Sequence, residues 1–166
     1  MQEFYTLAWT TVEMAGGHHR TNLLAAAGRL REIRLLHPEQ LVCYAEMKGH
    51  REDVGCMLFH PQRPTILFSG DAKALQCNML LLFMMASVIC IIQAQILVWD
   101  IGIPSAPEYR TRHQLLMRLE CPRPNLNPVL NLVFLPNYDA LLAGCEDGVF
   151  TWLLKDIKKE KLSPER

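Results

Sequence analysis

A chain in which one kind of apolar unit keeps returning must stack like elements on one another, and that recurrence constrains this sequence more than any other feature. Leu23-Leu24-Ala25-Ala26-Ala27-Gly28 leads to Ile33-Arg34-Leu35-Leu36-His37. Ile66-Leu67-Phe68-Ser69-Gly70-Asp71 leads to Ile96-Leu97-Val98-Trp99-Asp100. Leu141-Leu142-Ala143-Gly144-Cys145-Glu146-Asp147-Gly148 leads to Val149-Phe150-Thr151-Trp152-Leu153. Each unit is an apolar strand, a turn of small residues and a second strand, and each follows another apolar run, at 4–10, 54–59 and 129–135. One more candidate strand covers 41–47. His37-Pro38, Lys48-Gly49-His50, His60-Pro61, Pro104, Pro107, Pro122, Pro124, Pro136 and Asp147-Gly148 separate the runs. These residue types break strands and close turns, so the chain is expected to be all-β.

The second unit is bracketed by Gly49-His50 and Trp99-Asp100, the two dipeptides that mark a WD repeat. Between them lies a stretch with no charged residue, 74–99, of which 79–92 is apolar except for Ser87. As a helix, 79–92 would span about 21 Å, short of the roughly 30 Å of a bilayer core, although uncharged Gln76, Asn78, Gln93 and Gln95 extend it. No cluster of positive charge flanks it to set an orientation. Excising 74–95 joins Ser69-Gly70-Asp71-Ala72-Lys73 to Ile96-Leu97-Val98-Trp99-Asp100 in a continuous hairpin pattern. The stretch therefore reads as an apolar insertion in a turn, expected to be helical, with a membrane anchor at 79–92 and a translated intron or alternative exon as rival readings. The rest of the 166 residues holds about three repeats of roughly 40–45 residues, whereas closed propellers have about four to eight blades. The expected architecture is a partial WD-repeat β-propeller over 1–155, with blades near 3–47, 54–104 and 128–155 and a charged tail at 156–166.

In a WD blade the Gly-His histidine, a serine on the second strand, an aspartate in the following turn and the tryptophan of the third strand form a buried polar chain. Those roles fall to His50, Ser69, Asp71 and Trp99. A fully satisfied network of this kind rigidifies a core, and a half-satisfied one weakens it. The other units lack most of it: Leu36-His37 stands in place of Trp-Asp in the first, and the third keeps Trp152 but follows it with Leu153.

Phe4-Tyr5-Thr6-Leu7-Ala8-Trp9-Thr10, Asn22-Leu23-Leu24-Ala25-Ala26-Ala27-Gly28, Arg34-Leu35-Leu36-His37, Ile96-Leu97-Val98-Trp99-Asp100-Ile101-Gly102-Ile103-Pro104 and Leu141-Leu142-Ala143-Gly144-Cys145-Glu146 occur in that order. Together they resemble the leucine-rich-repeat and WD-repeat family associated with the origin recognition complex, from about residue 4 to 155 apart from 74–95. A more distant similarity is to the WD-repeat subunit of the Polycomb methyltransferase complex. The resemblance implies a nuclear, chromosome-associated, non-enzymatic scaffold that binds origin subunits and methylated histone tails in heterochromatin, supporting replication initiation and silencing. The leucine-rich repeats and later blades expected from such kinship are not in this sequence. In the Polycomb relative one aromatic of the methyl-lysine cage matches Tyr5, which with Trp9 makes a partial aromatic surface here. Each ring around a cation contributes only about 0.5–2 kcal/mol, and packing of Phe4, Tyr5 and Trp9 within the first blade is the competing reading. Arg31 occupies a turn position where the family tends to have glycine, a strained choice if that turn needs positive φ.

Seventeen Lys and Arg balance seventeen Asp and Glu, so net charge argues for neither broad nucleic-acid nor anionic-membrane binding. The six cysteines contain no CxxC and fit no zinc or compact disulfide spacing, which suggests thiols in a reducing compartment. Met1-Gln2-Glu3-Phe4 is not a secretory signal, which points to nucleus or cytoplasm. His18-His19-Arg20 lies in a Gly-rich loop without further ligands, and no metal or cofactor is expected. Cys145-Glu146-Asp147-Gly148 has no histidine base nearby and reads as a turn, and no Walker loop or nucleophile elbow occurs. Three readings remain: the chromatin scaffold, a membrane-associated fragment anchored by 79–92, and a truncated splice or gene-model product without independent function.

Overall fold

The structure, a computed structural model, describes residues 3–15, 19–40, 42–71, 95–105, 110–120, 128–146 and 148–154. The expected helical insertion at 74–95 lies outside these residues except for Gln95, and the expected membrane anchor at 79–92 and the charged tail at 156–166 lie wholly outside them. Among the described residues every regular element is a strand: β1 (Phe4–Glu13), β2 (Arg20–Gly28), β3 (Glu32–Leu36), β4 (Cys43–Lys48), β5 (Val54–Phe59), β6 (Ile66–Asp71), β7 (Gln95–Asp100), β8 (Gln114–Glu120), β9 (Val129–Leu135), β10 (Ala140–Cys145) and β11 (Gly148–Leu153). No helix among them is long and apolar enough to cross a membrane.

The strands form three antiparallel sheets in chain order, β1-β2-β3-β4, β5-β6-β7-β8 and β9-β10-β11. The first strands β1, β5 and β9 lie side by side, so the sheets converge along one line like blades on an axis. This is a partial WD-repeat β-propeller. The second blade runs past 104, because β8 pairs with β7 from Gln95↔Glu120 to Asp100↔Gln114. Met117 is buried there, Leu115, Leu116 and Leu119 are half-buried, and Gln114, Arg118 and Glu120 are exposed, the mixed burial of an outer strand.

Sheets of this kind are held by what lies between them. One apolar layer joins the first two blades through Leu23, Ala25, Ile33, Leu35 and Met47 on one side and Met57, Phe59, Leu67, Leu97 and Trp99 on the other. A second layer joins Ile66, Phe68, Ile96 and Val98 to Leu132, Phe134, Leu141 and Ala143. Each fully buried large side chain contributes about 1.5–3 kcal/mol. Across the second layer, His60 lies on Phe134 with ring centroids 4.1 Å apart. Its Nδ1 accepts the backbone N–H groups of Gln62 and Arg63, both at 3.1 Å. The proton therefore sits on Nε2, which lies 3.7 Å from Asp139 of the third blade. Arg63 donates to the other oxygen of that carboxylate at 3.4 Å.

Burial, then the nearby Arg63 guanidinium, lowers the His60 pKa below 6.5, partly opposed by Asp139. The unfolded chain thus takes up the proton more readily than the folded one. The His60 contribution is complete above pH 6.5 and is lost as the pH falls through the folded value. Thermal melts from about pH 7 to pH 5 are expected to show a falling Tm, with the fall reduced in His60→Gln; equal slopes would contradict this assignment. Arg31 has φ 61°, so the turn after β2 does need the left-handed backbone that the sequence reading tied to glycine. Its side chain reaches the buried Glu52 at 3.8 Å, a half-exposed and weak ion pair. Arg31→Gly is expected to gain about 1 kcal/mol, or about 2–4 °C in Tm for a chain of this size.

Candidate functional site

The most specific side-chain constellation begins with Gly49-His50 in the connection between β4 and β5. Gly49 is required by contact: a Cβ there would lie 2.8 Å from the indole of Trp99. The glycine lets the tryptophan pack flat on the backbone, and the adjacent His50 turns inward to an environment where its side chain has no exposure. Ser69 from β6 and Trp99 from β7 meet it there. The Trp99 indole N–H donates to Ser69 Oγ at 2.9 Å. His50 Nε2 lies 2.7 Å from the same oxygen, and His50 Nδ1 lies 2.5 Å from Asp71 Oδ1.

The chemistry orders the protons. Indole can only donate, and a carboxylate can only accept. The Nδ1–H tautomer of His50 gives one continuous order, from Trp99 N–H to Ser69 Oγ, from Ser69 O–H to His50 Nε2, and from His50 Nδ1–H to Asp71, with the Leu97 carbonyl a second acceptor 3.5 Å from the Ser69 hydroxyl. All four residues that the sequence reading named are joined, although residues 72–94 separate Asp71 from the strand that carries Trp99. Serine, histidine and aspartate in this order also resemble an acyl-transfer triad. Two facts make the arrangement a structural one. Ser69 has 0% exposure, so no substrate reaches its oxygen, and that oxygen already accepts from a tryptophan.

The candidate binding residues stand apart from this network and from one another. Tyr5 falls in the bulge between Phe4↔Gly28 and Thr6↔Ala27, is 47% exposed, and places its hydroxyl 3.4 Å from Glu3. Trp9 is 53% exposed and borders a depression of about 550 Å3 together with Arg20, His60, Pro64 and Ile103. Four residues of strand put the two side chains about 13 Å apart along β1, beyond the roughly 12 Å that two rings can span when each lies within about 6 Å of one cation.

Strand register supplies a correspondence that sequence alignment missed. Trp9↔Leu24, Phe59↔Leu67 and Phe134↔Leu141 occupy the same place in the three blades. Leu67↔Trp99 and Leu141↔Trp152 likewise match. The third unit is thus offset by one residue from the alignment that starts it at Leu141, and Ala143, not Gly144, takes the place of Ser69. A hydroxyl is absent there, and Trp152 is only partly buried. Among the described residues no group of three or more His, Cys, Asp or Glu could hold a metal ion. Cys56 is buried and its thiol is pushed up to about 12, chiefly by burial, which removes it as a nucleophile near neutrality.

Truncating Ser69 to alanine strands two buried groups, the Trp99 N–H and His50 Nε2, each at about 1–3 kcal/mol. Ser69→Ala is expected to lose about 3 kcal/mol in urea unfolding. A double-mutant cycle with Trp99→Phe is expected to give a coupling of about 1 kcal/mol, and additivity would mean that the bond contributes nothing.

The comparisons with known proteins agree with this geometry. The WD domain family of leucine-rich repeat and WD repeat-containing protein 1 matches residues 1–163. Proteins of that name are similar to this chain in Xenopus laevis (32% identical over 164 residues, covering 96% of this chain and 19% of that protein). The Xenopus tropicalis protein is 30% identical, covering 96% and 20%, and the Mus musculus protein 29% identical, covering 99% and 22%. The chain spans about a fifth of the length of these curated relatives. With one four-membered blade network assembled and two further blades stacked on either side of it, the chain belongs to the WD domain family of leucine-rich repeat and WD repeat-containing protein 1.

Proposed function

We propose that this chain is a non-enzymatic WD-repeat scaffold of chromatin, associated in the nucleus with origin recognition complex subunits and with methylated histone tails, and supporting replication initiation and heterochromatic silencing. The observation that carries the reading is the family match along almost the whole chain, joined to an architecture of rigid sheets whose one assembled catalytic-looking triad is sealed from solvent. A scaffold needs fixed surfaces rather than a reactive centre, and stacked blades supply them. Tyr5, 47% exposed in the bulge at the start of β1, is the aromatic we assign to a peptide contact. One ring contributes about 0.5–2 kcal/mol to binding a methylated ammonium, so the contact is an auxiliary one.

The test is co-precipitation of origin recognition complex subunits with the tagged 166-residue chain and with a version lacking 74–95, alongside titration with trimethyl-lysine histone peptides. Both forms are expected to capture origin subunits, and Tyr5→Ala to weaken peptide binding about tenfold. Recovery of the chain only in carbonate-resistant membranes, without origin subunits, would overturn the scaffold reading in favour of an anchor at 79–92.

A further inference from the structure

Residues 100–105 and 110–113 belong to the connection between β7 and β8, and the backbone there is held at each described step. Ile101 donates its N–H to the Thr65 carbonyl at 2.8 Å, and Gly102 donates to the Asp100 carboxylate at 3.0 Å. Gly102 has φ 70°, and a Cβ there would lie 2.7 Å from the Arg112 carbonyl oxygen, so the bare backbone at 102 is the seat on which Arg112 rests. Ser105 and Arg110 form an antiparallel bridge. Thr111 then donates its N–H to the Tyr44 carbonyl at 3.3 Å, which ties this connection of the second blade to the outer strand of the first. His113 meets the Trp99 ring edge-on, with centroids 6.4 Å apart.

Pinned in this way, Thr111 turns inward and its neighbours turn outward. Thr111 is 8% exposed, whereas Arg110, Arg112 and His113 are exposed. The buried Thr111 hydroxyl has no hydrogen-bond partner among the described residues, which carries a free-energy cost. The connection bears that cost in an arrangement that presents two arginines to solvent. Arg20, Arg29, Arg31, Arg34 and Arg63 each meet a carboxylate. Arg110 and Arg112 have no ion-pair partner among the described residues. Two positions apart on an extended backbone, they start from points about 7 Å apart on one side of it.

We propose that Arg110 and Arg112 form a docking site for an extended acidic peptide whose carboxylates lie two residues apart. Carboxylates at alternate positions of an extended chain also lie on one side at about 7 Å, and a guanidinium grips each with two parallel N–H bonds. Because the backbone that carries the arginines is already fixed, binding orders two side chains rather than a loop. Nucleic acid fits less well. Its affinity comes from many phosphates neutralised at once, and this patch offers two guanidinium groups on a chain of zero net charge. The site lies on the seam between the first and second blades and shares no residue with the Tyr5 contact, so its test is independent of the capture of origin subunits.

The experiment is a titration of the full chain at low salt with a peptide of alternating glutamate and serine, followed through the arginine side-chain N–H resonances. Saturable shifts are expected at Arg110 and Arg112. Arg110→Ala with Arg112→Ala is expected to weaken binding about tenfold, and Arg110→Lys with Arg112→Lys, which keep the charge but not the fork, about threefold. A peptide of the same composition with its glutamates adjacent is expected to bind about threefold more weakly. Lys48→Ala with Arg51→Ala removes two exposed cations at and beyond the far end of β4 and is expected to change nothing. All of these side chains are exposed, and circular dichroism checks that each variant keeps its strand signal. Absence of saturable shifts, equal affinity for the two peptides, or an equal loss in the Lys48 and Arg51 variant would overturn the site. Tighter binding of a single-stranded thymidine oligonucleotide through the same two arginines would overturn the peptide as its occupant.

Discussion

The Ser69 hydroxyl is the point on which the middle blade turns, and through it the stack. A hydroxyl is small enough to lie flush in a sheet and can accept and donate at once. Here it accepts from Trp99 and donates to His50, which passes the polarity on to Asp71. The third strand and the connection from the previous blade are thereby fixed to one atom, and the end of the second strand is tied to it through His50. Trp99 is held at an orientation that fills the layer against the first blade, and Gly49 is bare so that it can. Without that anchor the indole would be one more large apolar group free to repack, and the sheet-to-sheet spacing would follow it.

The three blades divide this labour unequally. Only the middle one has the polar chain; its neighbours have Ala26 and Ala143 in the serine position, and Leu36 and Trp152 in the tryptophan position. They rest instead on apolar layers they share with it, and on the small latch in which Arg63 and His60 meet Asp139. The middle blade is therefore the template and the flanking blades are built against it. Exposure follows this arrangement, low on the faces turned toward the middle and high on the two turned away.

Much of this was written locally. Alternating apolar runs and Pro- or Gly-bearing turns placed most strands, because period and punctuation act over a few residues. The four-residue network was legible because Gly-His and Trp-Asp mark its two ends, and the strain at Arg31 was legible by kinship. β8 was missed because Leu115, Leu116, Met117 and Leu119 lie among Arg112, His113, Gln114, Arg118 and Glu120 in a stretch that resembles a linker, with no β-branched residue to declare a strand. The offset of the third unit was missed because Ala140, Leu141 and Leu142 are all apolar, so the run can be started one residue either way and only the pairing Phe134↔Leu141 fixes it. The latch of His60 on Asp139 could not be read at all, since those residues meet only after two blades have stacked.

Residues 72–94 interrupt the hairpin between β6 and β7, yet the two strands stay paired from Ile66↔Asp100 to Gly70↔Ile96. Closing a loop costs only about 0.6 kcal/mol more for each doubling of its length. Extending a turn of about two to five residues to this size therefore costs roughly 2 kcal/mol, comparable to two or three of the hydrogen bonds that hold the blade. The register on either side is set by side chains that never enter the turn. That makes this hairpin tip a splice point in the physical sense, a place where new sequence can be added to a finished blade without renegotiating how the blade is built.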